Sequence, residues 1–192
     1  MGNSRICLIG RLKLFFTNLK KLKIMEINYL VILLAALVPM LMGYIWYHPK
    51  VFGTAWMAAA EITADKKKNP PMAKIFIVSF VFALLLAFIM LPMVVHQLSL
   101  FSLVADDMKP GDTTSAAAQW FQSSMDAYGN NFRTFKHGAF HGFIAGIFLV
   151  LPLIGTNALY ERKSANYIFI NVGFWTVCMS IMGGIICQWG IN

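Results

Sequence analysis

Charged residues are scarce in this sequence, since Asp, Glu, Lys and Arg make up only 12% of its 192 residues. Soluble domains carry about 25% charged residues. Hydrophobic residues fill the gap and account for 58% of the chain. This composition excludes an ordinary soluble domain and indicates an integral membrane protein whose main surroundings are the lipid bilayer.

Acidic residues are the scarcer of the two signs, because eight acidic residues face 16 basic ones for a formal net charge of +8. Six basic residues lie before Met25 in a leader without any acid, and they are Arg5, Arg11, Lys13, Lys20, Lys21 and Lys23. That leaves ten basic residues against eight acidic ones from Met25 onward. The basicity therefore belongs to the leader, and we expect no nucleic-acid partner.

The leader, residues 1–24, has two interpretations. Its apolar residues between Arg11 and Ile24 fall on one helical stripe beside the lysines, which is typical of a basic amphipathic helix lying on an anionic membrane surface. Alternatively, residues 1–24 are not translated and the protein starts at Met25, which is the interpretation we favour. In either case we expect residues 25–192 to form a single four-helix membrane domain.

Cysteine is also rare, with three in the chain. Cys178 and Cys187 lie nine residues apart in one predicted helix, which separates them by about 13.5 Å along its axis. A disulfide needs Cα atoms within about 7 Å, so these two thiols do not pair within one helix.

The sequence contains several long apolar runs. Four of them match the roughly 20 residues with which a helix crosses a bilayer, and they are residues 29–47, 73–95, 138–159 and 167–189. A helix satisfies its own backbone hydrogen bonds in hydrocarbon. We therefore predict an all-α integral membrane protein with four transmembrane helices, numbered here as spans one to four.

The connecting loops contain shorter helical segments. Loop one, residues 48–72, begins with a proline and suits a short interfacial helix in its first half. Loop two, residues 96–137, contains "DTTSAAAQWFQSSMDAY", which predicts a helix capped by Asp112 or Thr113. Loops one and three with their edges hold seven basic residues and loop two holds three. The positive-inside rule therefore places loops one and three in the cytoplasm and loop two outside.

Aromatic residues crowd the end of span one, in the stretch "GYIWYHPKVFGTAW". Trp46, Tyr47, Phe52 and Trp56 fall where span one meets the lipid headgroups, a depth that favours amphipathic rings. We interpret this stretch as an interfacial elbow within an aromatic belt. A headgroup or ligand clamp is the alternative.

Glycines repeat every four residues in span three, at Gly138, Gly142 and Gly146. This small-xxx-small pattern, a glycine zipper, forms a smooth face that lets another helix approach closely. Ser180 and Gly184 offer a weaker surface of the same kind in span four. We therefore predict contact between spans three and four.

Three histidines are the most unusual polar groups near the spans. His137 and His141 share one helix face, and the threading puts His96 on the same side of the membrane. They are candidates for a transition-metal site, or two of them for haem ligation. However, Gly138 stands where an HExxH motif has its glutamate, and histidines in such places are ordinarily hydrated or bonded to a neighbouring helix. We therefore expect no cofactor.

Several of these motifs are shared with a known family. "GYIWYHPKVFGTAWM" has a Gly, Trp-Tyr, Pro, Phe-Gly and Trp at a recognisable spacing, and "LYERKS" and "INVGFWTVCMSIMGG" follow in the second half. With them, residues 25–189 resemble the bacterial membrane protein family catalogued as domain of unknown function 1761. The resemblance implies a small four-span protein of a bacterial inner (cytoplasmic) membrane, with no catalytic role assigned. The matching positions are Gly43, Trp46, Tyr47, Pro49, Phe52, Gly53, Trp56, His141 and Gly142.

The sequence contains no nucleophile motif, no phosphate-binding glycine loop and no paired carboxylates within a span. We expect a non-enzymatic structural or accessory component that self-associates or joins a membrane protein partner. One alternative is an oligomeric small-solute transporter or channel, with His141 and Asn171 lining its path. The other is a metal- or haem-binding membrane protein that uses the three histidines.

Overall fold

The computed structural model describes residues 25–63, 70–108 and 113–191. The predicted leader, residues 1–24, lies outside these ranges. Apart from an isolated antiparallel bridge between Ile27 and Ile191, the regular structure of the described residues is helical. The predicted all-α fold is confirmed.

Four helices are long and apolar enough to cross a membrane, as the sequence predicts. Span one is helix α1, Tyr29–Trp46, and span two is α3, Met72–Val94. Span three, Phe135–Tyr160, consists of α6 (Phe135–Ala145), a π-helical turn (Gly146–Val150) and α7 (Leu151–Tyr160). Span four is α8, Ala165–Trp189. Each observed end lies within three residues of its prediction.

Side-chain caps fix where three spans begin. The side chains of Asn28, Thr134 and Ser164 accept hydrogen bonds from backbone N–H groups in the first turns of spans one, three and four. Such caps satisfy donors that a helix start leaves without intrahelical partners. The Thr134 cap matters for the site described below, because its hydrogen-bond donor is the backbone N–H of His137.

Small residues bring the spans together. Ala35 and Ala36 in span one and Ala83 and Ala87 in span two are fully or almost fully buried. Large apolar side chains on the outer faces, such as Phe82 at 62% exposure, remain uncovered by protein. Outward apolar surface of this kind suits hydrocarbon surroundings, in which small residues rather than hydrophobic burial allow helices to associate.

The predicted contact between spans three and four is confirmed, and the backbones of the two spans approach each other closely there. A Cβ atom added at Gly142 would stand 2.0 Å from the Met179 carbonyl oxygen. One added at Gly138 would stand 2.1 Å from the carbonyl oxygen of Gly183. Both predicted residues of span four meet span three, Ser180 beside Gly142 and Gly184 under the Phe135 ring, while Gly183 is the direct partner of Gly138.

The loops differ in how well they were predicted. Loop one forms a π-helical turn, Pro49–Gly53, and the short helix α2, Thr54–Ala59, which agrees with the expected helix. Loop two contains the expected helix α5, Ala116–Tyr128, but Ser115 is its cap, so the prediction of Asp112 or Thr113 is wrong. Loop two also contains α4, Gln97–Val104, which the sequence did not suggest.

Candidate functional site

The aromatic elbow is the stretch from Trp46 to Trp56, at the loop-one end of the spans. The chain turns there because the N–H of Gly53 donates to the carbonyl of His48, 3.0 Å away, which closes a π-helical turn. A Cβ atom at Gly53 would stand 2.1 Å from the Tyr47 carbonyl oxygen. The turn therefore requires glycine at this position.

The elbow is fastened to span four by the side-chain amide of Asn171 and by one backbone carbonyl. The Oδ1 atom of Asn171 accepts hydrogen bonds from the Tyr47 hydroxyl at 3.1 Å and from Trp56 Nε1 at 3.3 Å. Its Nδ2 atom donates to the Tyr167 carbonyl at 2.7 Å. Trp46 Nε1 donates to the Ile170 carbonyl at 3.2 Å. These four hydrogen bonds satisfy both ends of the amide and the polar atoms of all three rings.

Ring packing completes the elbow. The Tyr47 ring lies 5.1 Å from Trp56 and 5.1 Å from Phe174, and Trp46 lies 4.6 Å from Phe52, all measured between ring centroids. Burial raises the pKa of the Tyr47 hydroxyl well above its ordinary value. A closed network of this kind is what a structural joint needs, and it leaves few polar atoms for a ligand.

The histidine cluster consists of His96, His137 and His141 at the opposite, loop-two end of the spans. His137 and His141 are one turn apart on α6, with ring centroids 4.5 Å apart. His96 lies at the junction of span two and α4, and its ring centroid is 5.1 Å from that of His137 and 5.0 Å from that of His141. The three histidines, which the sequence placed only on the same side of the membrane, therefore converge on one point.

Their nitrogen atoms are close enough to share one ion. One ring nitrogen from each histidine lies within 4.8 Å of the others. The Nε2 atoms of His96 and His137 are 2.9 Å apart, a hydrogen bond in which one imidazole donates and the other accepts. Nitrogens bound to one tetrahedral zinc ion, at about 2.0–2.1 Å each, stand about 3.3 Å apart. Binding one such ion would therefore require side-chain rotations that bring all three nitrogens to that separation.

The donor set has a definite chemical character. Imidazole nitrogens suit zinc, copper, nickel and iron, and three of them leave a tetrahedral ion with one free position. The group that converges in the described ranges holds no carboxylate, although Asp106 and Asp107 follow on the same side. The arrangement can bind a transition-metal ion, and none of the described carboxylates joins the three nitrogens that would hold it.

The packing around Gly138 leaves no room for a glutamate base at this position of α6. In an HExxH helix the residue after the first histidine is a glutamate that acts as the general base. Here that position faces span four, where even a Cβ atom would be 2.3 Å from the Cys187 Cβ and 2.1 Å from the Gly183 carbonyl. One face of α6 therefore serves helix packing while the neighbouring face carries the histidines.

The structure separates other residues that the sequence had grouped. His141 and Asn171, both predicted to line a transport path, belong to different clusters at opposite ends of the spans. Two residues beside the histidines were missed, namely Phe132, whose ring centroid is 5.0 Å from that of His137, and the buried Gln97. No signal in the sequence distinguishes this phenylalanine from the 15 others.

Together, the helices and the two clusters define a small four-span membrane protein with a structural elbow at one end and three converging histidines at the other. The family model described as "Protein of unknown function (DUF1761)" matches residues 30–187, which include the elbow and all three histidines. The chain therefore belongs to this family. The searches of curated proteins and of solved structures found no match.

Proposed function

We propose that the protein is a membrane metal-binding protein that holds one divalent transition-metal ion between His96, His137 and His141. The observation that carries this proposal is the convergence of three imidazole nitrogens within 4.8 Å of one another. This proposal reverses our expectation from the sequence that no cofactor is bound. Zn²⁺, Cu²⁺, Ni²⁺ and Co²⁺ fit the donors, and the Irving–Williams order makes Cu²⁺ the tightest of them.

A bare ion fits these histidines better than a haem does. In a haem with two histidine ligands the iron and its porphyrin lie between the two nitrogens. The Nε2 atoms of His96 and His137 are only 2.9 Å apart and in hydrogen-bond contact. A porphyrin would have to separate them, whereas a bare ion only replaces the proton that they share.

We further propose that the protein binds its ion without catalysis, as a non-enzymatic accessory component. The packing of Gly138 against span four supports this, because it leaves no room for a glutamate base at that position. Self-association or a membrane protein partner would then use the outer faces of the spans. The transporter interpretation has less support, because His141 and Asn171 do not share a site.

The placement in the membrane is also a proposal. The distribution of basic residues and the family resemblance support a bacterial inner membrane, with loops one and three cytoplasmic and loop two outside. The metal site would then face outward. In this arrangement the aromatic elbow contributes to an interfacial belt on the cytoplasmic side, and the glycine face of span three acts as a zipper within the chain.

The test is a titration of the full chain, purified in mild detergent through a tag without histidine, with Co²⁺ and Zn²⁺. We expect one ion per chain. Replacing His96, His137 or His141 by Ala should each weaken binding by at least about 100-fold, since loss of a direct ligand costs more than loss of an outer partner. His48→Ala is the matched control, because His48 is the remaining histidine and lies at the elbow.

Two results would overturn the proposal. One is the absence of Co²⁺ and Zn²⁺ binding by the folded wild-type protein. The other is equal affinity in wild type and in His141→Ala, which would mean that the ions bind elsewhere.

A further inference from the structure

A cavity of about 260 Å³ lies beside the histidine cluster, between α4 and the turn that joins α5 to span three. Its walls are formed by His96, Gln97, Leu100, Tyr128, Asn131 and Phe132. Drug-sized ligands occupy pockets of about 300–1,000 Å³. The cavity is half-open and smaller than these pockets, so it can hold a group on the scale of one ring with a short substituent.

Gln97 holds the wall of this cavity in place. Its side chain is 3% exposed, and its amide nitrogen donates to the carbonyls of Tyr128 at 3.3 Å and Asn131 at 2.9 Å. These bonds tie the start of α4 to the end of α5. The amide nitrogen of Gln97 is thereby occupied. The rings of His96, Tyr128 and Phe132 and the side chain of Leu100 supply most of the remaining wall.

Phe132 links the cavity to the histidines. Its ring centroid lies 6.3 Å from that of His96 and 5.0 Å from that of His137. Its backbone has a φ of 61°, a left-handed conformation that is unfavourable for a bulky residue. The side chain is nevertheless 64% exposed, so burial in the core does not account for this conformation. Strained residues of this kind cluster at ligand sites.

We infer that this cavity binds a small aromatic molecule whose single nitrogen or oxygen donor completes the coordination of the metal ion. The inference rests on the proposed function, since three histidines leave a tetrahedral ion one free position. His96 belongs to both sites, and it is the exposed member of the cluster. A ring seated between Phe132 and Tyr128 gains the offset or edge-to-face contacts that aromatic pairs favour.

The experiment compares two probes, imidazole and 4-phenylimidazole, on the Co²⁺-loaded protein. Their binding is followed by the visible absorption of the bound Co²⁺, which changes when a fourth donor is added. We expect 4-phenylimidazole to bind about tenfold more tightly than imidazole, because its second ring enters the cavity.

Two tryptophan variants on α4 test where the second ring goes. Leu100→Trp fills the cavity, so 4-phenylimidazole and imidazole should then bind with about equal affinity. The affinity for Co²⁺ should stay unchanged. Leu103→Trp is the matched control, because Leu103 lies on the same helix at 72% exposure and should leave the preference intact. For each protein the affinity for 4-phenylimidazole is divided by that for imidazole. Comparing this ratio between proteins in one detergent cancels the partitioning of the probes into micelles.

The outcomes separate the two proposals. If wild type binds Co²⁺ but shows no preference, or if the preference persists in Leu100→Trp, the cavity inference is wrong and the metal site stands. If wild type binds no Co²⁺, the proposed function fails and the inference fails with it. Should Leu100→Trp not fold, Phe132→Ala replaces it, and an unchanged preference in that variant would equally overturn the inference.

Discussion

The aromatic elbow and the histidine cluster, at opposite ends of the spans, differ in how their polar side chains are hydrogen-bonded. At the elbow, the hydroxyl of Tyr47 and the indole of Trp56 share the Asn171 oxygen, and the amide nitrogen of Asn171 has its own acceptor. At the other end, His96 and His137 bond chiefly to each other. A network in which every polar group is hydrogen-bonded holds helices together. Imidazole nitrogens that converge on one point can instead bind a cation.

The largest effect should come from the packing face of α6, next to the histidines. In Gly142→Ala the new methyl group would meet the Met179 backbone, which cannot move aside without shifting span four. We expect a loss of about 3 kcal/mol in the free energy of unfolding, the upper part of the range for overpacking. Gly155→Ala in α7 is the control, because its nearest contacts would be ordinary ones at 3.8 and 3.9 Å. Equal unfolding curves in denaturant for both variants would contradict the close contact.

The next effect should come from the ion itself. Zn²⁺ at 100 times its dissociation constant should raise the free energy of unfolding by about 2.7 kcal/mol, because it binds only the folded cluster. The gain should persist in His48→Ala and disappear in His141→Ala. Lowering the pH should abolish it, because an imidazole must lose its proton to bind metal. A gain of the same size in His141→Ala would show that zinc stabilises the protein at another site.

A smaller loss should follow from opening the elbow. Asn171→Leu keeps a similar side-chain size but leaves the Tyr47 and Trp56 donors without their acceptor. We expect a loss of about 2 kcal/mol in the free energy of unfolding. Zn²⁺ affinity should not change, since the two clusters lie at opposite ends of the spans. A matching fall in Zn²⁺ affinity would mean that the two ends are coupled.

The smallest effect concerns the Tyr47 hydroxyl. Tyr47→Phe removes one hydrogen bond and should cost about 1 kcal/mol at neutral pH. Burial raises the folded-state pKa of Tyr47, so its contribution is fully present below the ordinary tyrosine pKa of about 10 and is lost as the pH rises above it. Wild type should therefore lose more stability than Tyr47→Phe between about pH 8 and about pH 11. Parallel curves for the two proteins over this interval would be incompatible with a buried hydroxyl.

The four spans could be predicted because the length of an apolar run is a local property of the chain. Loop two was harder. Thr113, Thr114 and Ser115 are all able to cap a helix. Ser115 is the cap because α5 begins at the next residue, Ala116. The run that forms α4 follows span two so closely that only the extended conformation of Val95 separates them.

The two clusters were predictable to different degrees. The spacing of His137 and His141 predicts a shared helix face, but the approach of His96 depends on how span two packs against span three. The elbow rings were expected to touch headgroups, and their attachment to Asn171 depends on a contact between residues more than 100 positions apart. Likewise, only the helical phase of span four selects Gly183 over Gly184 as the partner of Gly138.

The most direct test of the central claim is X-ray absorption at the metal edge of the Zn²⁺-loaded protein in detergent. The account predicts three imidazole nitrogens at about 2.0–2.1 Å from the zinc ion. It also predicts one imidazole fewer in His141→Ala and an unchanged spectrum in His48→Ala. A shell made only of oxygen atoms, or identical spectra for wild type and His141→Ala, would show that the three histidines are not the metal site.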